Sequence, residues 1–82
     1  MSKISTLDVI AVIENALELK SGALNENTSS EEIDSWDSLG LLSILVALDK
    51  LFEGKIANIT EMSEADSMPK ILNILRQHSL LE

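Results

Sequence analysis

The sequence predicts an all-α fold, a small antiparallel bundle of three long helices and one short one. Three observations predict it. The chain has 82 residues, enough for a single domain (1–82) around one core. Apolar residues recur at helical spacing in three separate segments. Aromatics are limited to Trp36 and Phe52, while Leu, Ile, Ala and Glu abound, a composition that favours helix over strand. With 45% apolar and 24% charged residues, the chain has the balance of a folded domain rather than a disordered one.

The first helix is expected from about Thr6 to Lys20. Ser5 or Thr6 can cap it, and Asp8 sits in the first turn, where the helix dipole favours an acid. Val9, Ile10, Ile13, Ala16 and Leu17 fall on one face; Asp8, Glu14, Asn15 and Glu18 fall elsewhere. Gly22 supplies a stop. Residues 21–37 form a long polar connection with five acids between Glu26 and Asp37 and no base. Leu24, Ile33 and Trp36 are its expected anchors; a connection of this length is often functional. The second helix runs from Ser38 to about Glu53, with Asp37 as its N-cap and Gly54 at its end. Residues 55–66 read as a loop with one short helix around Glu61 to Asp66. The last helix spans about Met68 to His78. Ser67 caps it, and Pro69 sits in the first turn, where a missing N–H costs nothing. Its core face holds Met68, Ile71, Leu72 and Leu75, with Ile74 at the border.

The helix from Ser38 has two apolar faces. Leu41, Ile44, Leu45, Leu48, Leu51 and Phe52 span an arc of about 120° and make an ordinary core face. Leu39, Leu42 and Val46 form a second stripe on nearly the opposite side. A bundle this small buries one helix face well, so the second stripe is expected to be exposed and to bind something. The alternative is that the 21–37 loop folds over it. Ser38 stands beside the stripe at the first helical position. A phosphate on its oxygen would meet the unpaired N–H groups of the helix start, although Asp37 opposes an anion there unless a metal or a basic partner bridges them. The plainer alternative is a serine that only begins a helix.

Fourteen acids against six bases give a net charge of −8, which disfavours nucleic acid and anionic membrane and favours basic partner surfaces. No cysteine is present, so disulfides, thiolate metal sites and a cysteine nucleophile are excluded. The N-terminal residues lack the apolar run of a signal peptide, and no stretch approaches the roughly 20 apolar residues of a membrane span. The expected location is the cytoplasm, without membrane insertion. The single histidine, His78, lies in a polar turn and reads as a solvated residue rather than a general base. Glu31, Glu32, Asp34 and Asp37 could attract a divalent cation, but their spacing is not that of a calcium loop, and a solvated acidic loop is the better reading. Neither catalysis by the chain nor a resident metal is expected.

The run Asp37-Ser38-Leu39, in a small acidic chain with a long preceding loop and the apolar helix SLGLLSILVALDKLF after it, resembles the attachment motif of acyl carrier proteins. The resemblance covers essentially the whole chain and implies an acyl-carrier-protein-like bundle. By it, Ser38 carries 4′-phosphopantetheine taken from coenzyme A, and Asp37 is the acid used by the phosphopantetheinyl transferase. Leu39, Leu42 and Val46 match the positions that face partner enzymes, and Asp49 is one acid at their rim. The implied function is to carry an acyl or aminoacyl group as a thioester and present it to partners. Those partners are the transferase, an acyl- or aminoacyl-activating ligase, and an acyltransferase or synthase. The chain would act as a monomer. Two departures separate it from fatty-acid-synthesis carriers. Of the positions Gly40, Ser43, Asp49 and Lys50, where acids are usual, only Asp49 is acidic, and Ser35 replaces a usual glycine. The run WDSLG looks more like carriers of specialised or cell-envelope pathways, including aminoacyl carriers of the D-alanyl type. From another class, the same stripe would serve an unmodified acidic interaction module.

Overall fold

The computed structural model describes residues 4–81; Met1, Ser2, Lys3 and Glu82, the ends of the expected 1–82 domain, lie outside the described residues. Three α-helices follow in order: α1 (Thr6–Ala16), α2 (Ser38–Leu51) and α3 (Met68–Gln77). Two short 3₁₀ turns, Ser30–Glu32 and Thr60–Glu64, lie between them. Among the described residues there is no strand, only two isolated bridges, Ile4 with Leu81 and Ser29 with Ser67. The short helix expected around Glu61 to Asp66 falls at the 3₁₀ turn 60–64, and the described residues hold three α-helices rather than four.

Each helix starts on a side-chain cap. Ser5 and Asp8 form a reciprocal capping box at α1, the Ser5 amide donating to Asp8 Oδ2 at 3.1 Å and the Asp8 amide to Ser5 Oγ at 3.3 Å. Asp37 Oδ1 accepts the Gly40 amide at 2.8 Å, and Ser67 Oγ accepts the Lys70 amide at 3.3 Å. Pro69 falls at the start of α3.

The helix ends differ from expectation. α1 stops at Ala16, four residues before Lys20, because Glu18 takes a positive φ of 58° and the Leu19 amide closes onto the Glu14 carbonyl at 2.8 Å. Gly22, expected as the stop, lies in the turn beyond. α2 stops at Leu51, where Glu53 (φ 56°) and Gly54 (φ 85°) both turn left-handed and the Gly54 amide bonds the Asp49 carbonyl at 2.8 Å.

α1 packs along α2, and the 60–64 turn packs against both α2 and α3. Ile13, Ile44, Leu48, Met62, Ile71 and Leu75 are fully buried at the junction. Each such side chain contributes about 1.5–3 kcal/mol by leaving water. The predicted faces hold for Val9, Ile10 and Ile13 of α1, with Leu17 buried just past its end and Ala16 half-buried, and for Met68, Ile71, Leu72 and Leu75 of α3. On α2, Ile44 and Leu48 are buried, as is Phe52 just past its end, while Leu41, Leu45 and Leu51 pack half-buried on the margin. Among the described residues no helix is long and apolar enough to cross a membrane.

Glu14 departs from the helical wheel, which places it away from the core. It is only 6% exposed. Its Oε2 accepts the amides of Gly22 (2.9 Å) and Leu24 (3.0 Å), so it fastens the turn after α1 and seats Leu24 in the core. The turn has amides to satisfy, and the last turn of α1 brings an acceptor within reach.

The 21–37 connection is pinned by Leu24 and Trp36, both buried, and by half-buried Ile33. Its backbone is committed to the start of α3. The Ser30 amide donates to the Asp66 carbonyl and the Met68 amide to the Thr28 carbonyl, each at 2.8 Å. Buried Thr28 adds its Oγ1 as acceptor for the Asn25 amide at 3.0 Å. A loop held there does not reach the second stripe of α2.

Candidate functional site at the start of α2

The site is built from the first two turns of α2 and the segment that leads into them. Leu39, Leu42 and Val46 are 75%, 58% and 49% exposed, while Ile44 and Leu48 on the opposite side are at 0%. The two-faced reading of α2 is therefore correct, and the loop does not cover the stripe. With Leu7 of α1, these three are the exposed large hydrophobics among the described residues.

Ser38 is exposed and begins α2. Asp37 holds the helix start through the Gly40 amide, and its carbonyl accepts the Leu41 amide at 2.8 Å. The Ser38 and Leu39 amides donate to no group among the described residues, so they remain free at the positive end of the helix. A small cleft of about 180 Å³ opens beside Ser38 against Trp36, Leu41, Ser63, Glu64 and Asp66. Its charged groups are all acids. Lys70 pairs with Asp66 at 2.8 Å on the surface, and this partner holds the Asp66 carboxyl below its ordinary value, first by hydrogen bond and then by charge.

Gly40 is not a rim position of the stripe. It is buried, and a Cβ there would collide with the Ser35 carbonyl oxygen. The segment leading to Ser38 thus lies directly on the α2 backbone, at a place only glycine allows. The Ser35 hydroxyl is buried without a hydrogen-bond partner among the described residues. The close approach escaped sequence reasoning, although a glycine inside the most apolar helix is itself a signal.

Asp49 is half-buried at the far end of the helix. Its Oδ1 accepts the amides of Ile56 (3.2 Å) and Ala57 (3.1 Å) and so fastens the loop after α2. It also borders a groove of about 330 Å³ lined by Leu45, Val46, Lys50, Ile56, Ile59 and Met62. The structure thus brings Asp37, Ser38, Leu39, Leu42 and Val46 into one continuous strip and places Asp49 at its end with a structural task. His78 is exposed and lies 3.5 Å from Glu61, remote in sequence from the strip. Among the described residues no group of three or more His, Asp or Glu side chains is arranged to hold a metal ion.

The residues suit a phosphate ester on Ser38 in two respects. Ser38 is exposed, and two free amides lie at the same helix end. No family model, no curated protein and no solved structure matches this chain.

Proposed function

We propose that this chain is a carrier protein of the acyl carrier type, bearing 4′-phosphopantetheine on Ser38. The observation that carries the reading is the continuity of an exposed, helix-starting serine with an exposed apolar strip, Leu39, Leu42 and Val46. Neither feature helps the fold, and together they give a modifying enzyme both a nucleophile and a place to dock. Ser38 Oγ forms the new bond to phosphorus and gives up its proton, as the adenosine bisphosphate part of coenzyme A departs. Asp37 fixes the helix start from which that hydroxyl projects. When bound, the arm supplies the thiol that this cysteine-free chain lacks. The tether then raises the local concentration of a thioester-bound acyl or aminoacyl group at each partner.

On this reading the chain is not an enzyme. It works as a cytoplasmic monomer with a phosphopantetheinyl transferase, an activating ligase, and an acyltransferase or synthase. The aminoacyl version of the reading draws on the neutral Ser43 and cationic Lys50 beside the strip, where fatty-acid carriers have acids. The test is intact mass after incubation with coenzyme A and a transferase of broad specificity. Wild type should gain one phosphopantetheine and Ser38→Ala none. An unmodified wild type, or a modified peptide lacking residue 38, would favour the unmodified interaction module instead.

A further inference from the structure

The exposed strip of α2 starts beside acids and carries a lysine at its far end. At the Ser38 end, Asp37 and Glu64 line the small cleft, and Asp66 there is already matched by Lys70. At the other end stands Lys50, exposed and in no ion pair among the described residues. Two acids share this end: Asp49, whose Oδ1 accepts the Ile56 and Ala57 amides, and exposed Glu53 just past the helix. Between the ends, a cleft of about 520 Å³ separates Asn15 and Ala16 of α1 from Leu42, Ser43, Val46 and Lys50 of α2, and Lys50 is its one charged lining group. Twelve residues of helix, at about 1.5 Å each, set the two ends roughly 18 Å apart.

We propose that the protein partner of this strip presents a basic group, an apolar centre and an acidic group in that order, with its acid meeting Lys50. The inference rests on the carrier reading only for the claim that a partner docks here; the charge order is a property of the strip itself. A uniformly basic partner gains at Asp37 and Glu64 and is opposed at Lys50, whereas a partner with charges of both signs gains at both ends. The apolar centre supplies most of the affinity and the end charges fix the direction of docking. A phosphate ester on Ser38 would add negative charge to the end that is already acidic and strengthen the same order.

The probe is a synthetic amphipathic helical peptide with lysines at one end, a leucine stripe and glutamates at the other. It is titrated into the ¹⁵N-labelled full chain, with a nitroxide placed on the glutamate end in one sample and on the lysine end in another. The glutamate-end label should broaden the Ala47 and Lys50 amides, and the lysine-end label those of Ser38 and Leu39. Lys50→Glu should weaken binding by up to about five-fold, the range of one exposed ion pair, and abolish the preferred direction. Lys50→Gln should show the intermediate effect, and Val46→Asp should remove binding. Equal broadening of both ends by both labels in wild type overturns the proposal. So does absence of binding, perturbation mapped outside the strip, or strip broadening that grows with chain concentration before any peptide is added, which would mean that a second copy occupies it. Loading of Ser38 is read separately by mass. A loaded chain without directional docking refutes this inference alone, and directional docking without loading refutes the carrier reading alone.

Discussion

Gly40→Ala sets two opposed effects against each other. In an ordinary helix interior, replacing glycine by alanine stabilises by about 0.5–1 kcal/mol, because alanine has less backbone freedom to lose. Here the new methyl would run into the Ser35 carbonyl oxygen and lie 3.0 Å from Leu17 Cδ2. The leucine can rotate away; the carbonyl can retreat only if residues 35–37 move. Those residues include Trp36, which is 6% exposed, and Asp37, which caps α2 through the Gly40 amide itself. Overpacking costs about 1–3 kcal/mol, and a weakened cap adds up to about 0.5–2 kcal/mol. The net expectation is a loss of about 0.5–4.5 kcal/mol, set against the roughly 5–15 kcal/mol stability of a small domain. Urea denaturation followed by the fluorescence of Trp36, the sole tryptophan, reads it directly. The midpoint should fall with the slope unchanged. Ser43→Ala, on the exposed side of the same helix, should stay within about 0.5 kcal/mol of wild type. A Gly40→Ala midpoint equal to or above wild type would refute the close-approach account of the segment before Ser38.

Leu48→Ala, at a position with 0% exposure, should cost about 2–5 kcal/mol, and Leu42→Ala, at 58%, should stay within about 0.5 kcal/mol; equal losses in parallel melts would contradict the two-faced helix. Glu14→Ala leaves the Gly22 and Leu24 amides without an acceptor and should cost about 1–3 kcal/mol. Glu14→Gln, which keeps an oxygen there, should cost less, and amide exchange at Leu24 should rise in the alanine variant; a neutral alanine variant would remove Glu14 from that role. Because Lys70 lowers the Asp66 carboxyl, their pair contributes to stability above the ordinary carboxylate range, and that contribution disappears as pH falls through the lowered value. In Lys70→Met, carboxyl ¹³C titration should show Asp66 moving up toward its ordinary value, and an unchanged curve would contradict the pairing.

The helices were legible because their information is local. A 3.6-residue period marked the buried sides of α1 and α3, and Ser5, Asp37 and Ser67 marked where helices begin. What sequence could not supply is non-local. Glu14 sits at a polar angle of the α1 wheel, and its burial depends on a turn that returns eight and ten residues later to donate two amides. The early end of α1 lies at Glu18, a residue with no preference for the left-handed conformation it adopts, so no glycine announces it. The 60–64 segment offers Met62 to the core and too little periodicity to separate an α-turn from a 3₁₀ turn. At the site, the apolar stripe could be counted on the wheel, but its exposure depended on where the long loop goes.

The destination of that loop explains why α2 keeps a bare apolar face. Thr28 and Ser30 spend their backbone hydrogen bonds on Met68 and Asp66, at the start of α3. Trp36 then enters the core, and Ser35 closes on Gly40 from the buried side of α2. Each contact draws residues 28–37 away from Leu39, Leu42 and Val46. Burying those three side chains would have contributed roughly 1.5–3 kcal/mol apiece, a stabilisation the fold forgoes while still holding apolar residues there. The segment that leaves the stripe open also ends in the cap that fixes Ser38 at its edge. The bare stripe leaves the core intact, because Ile44 and Leu48 fill the other side of the same helix.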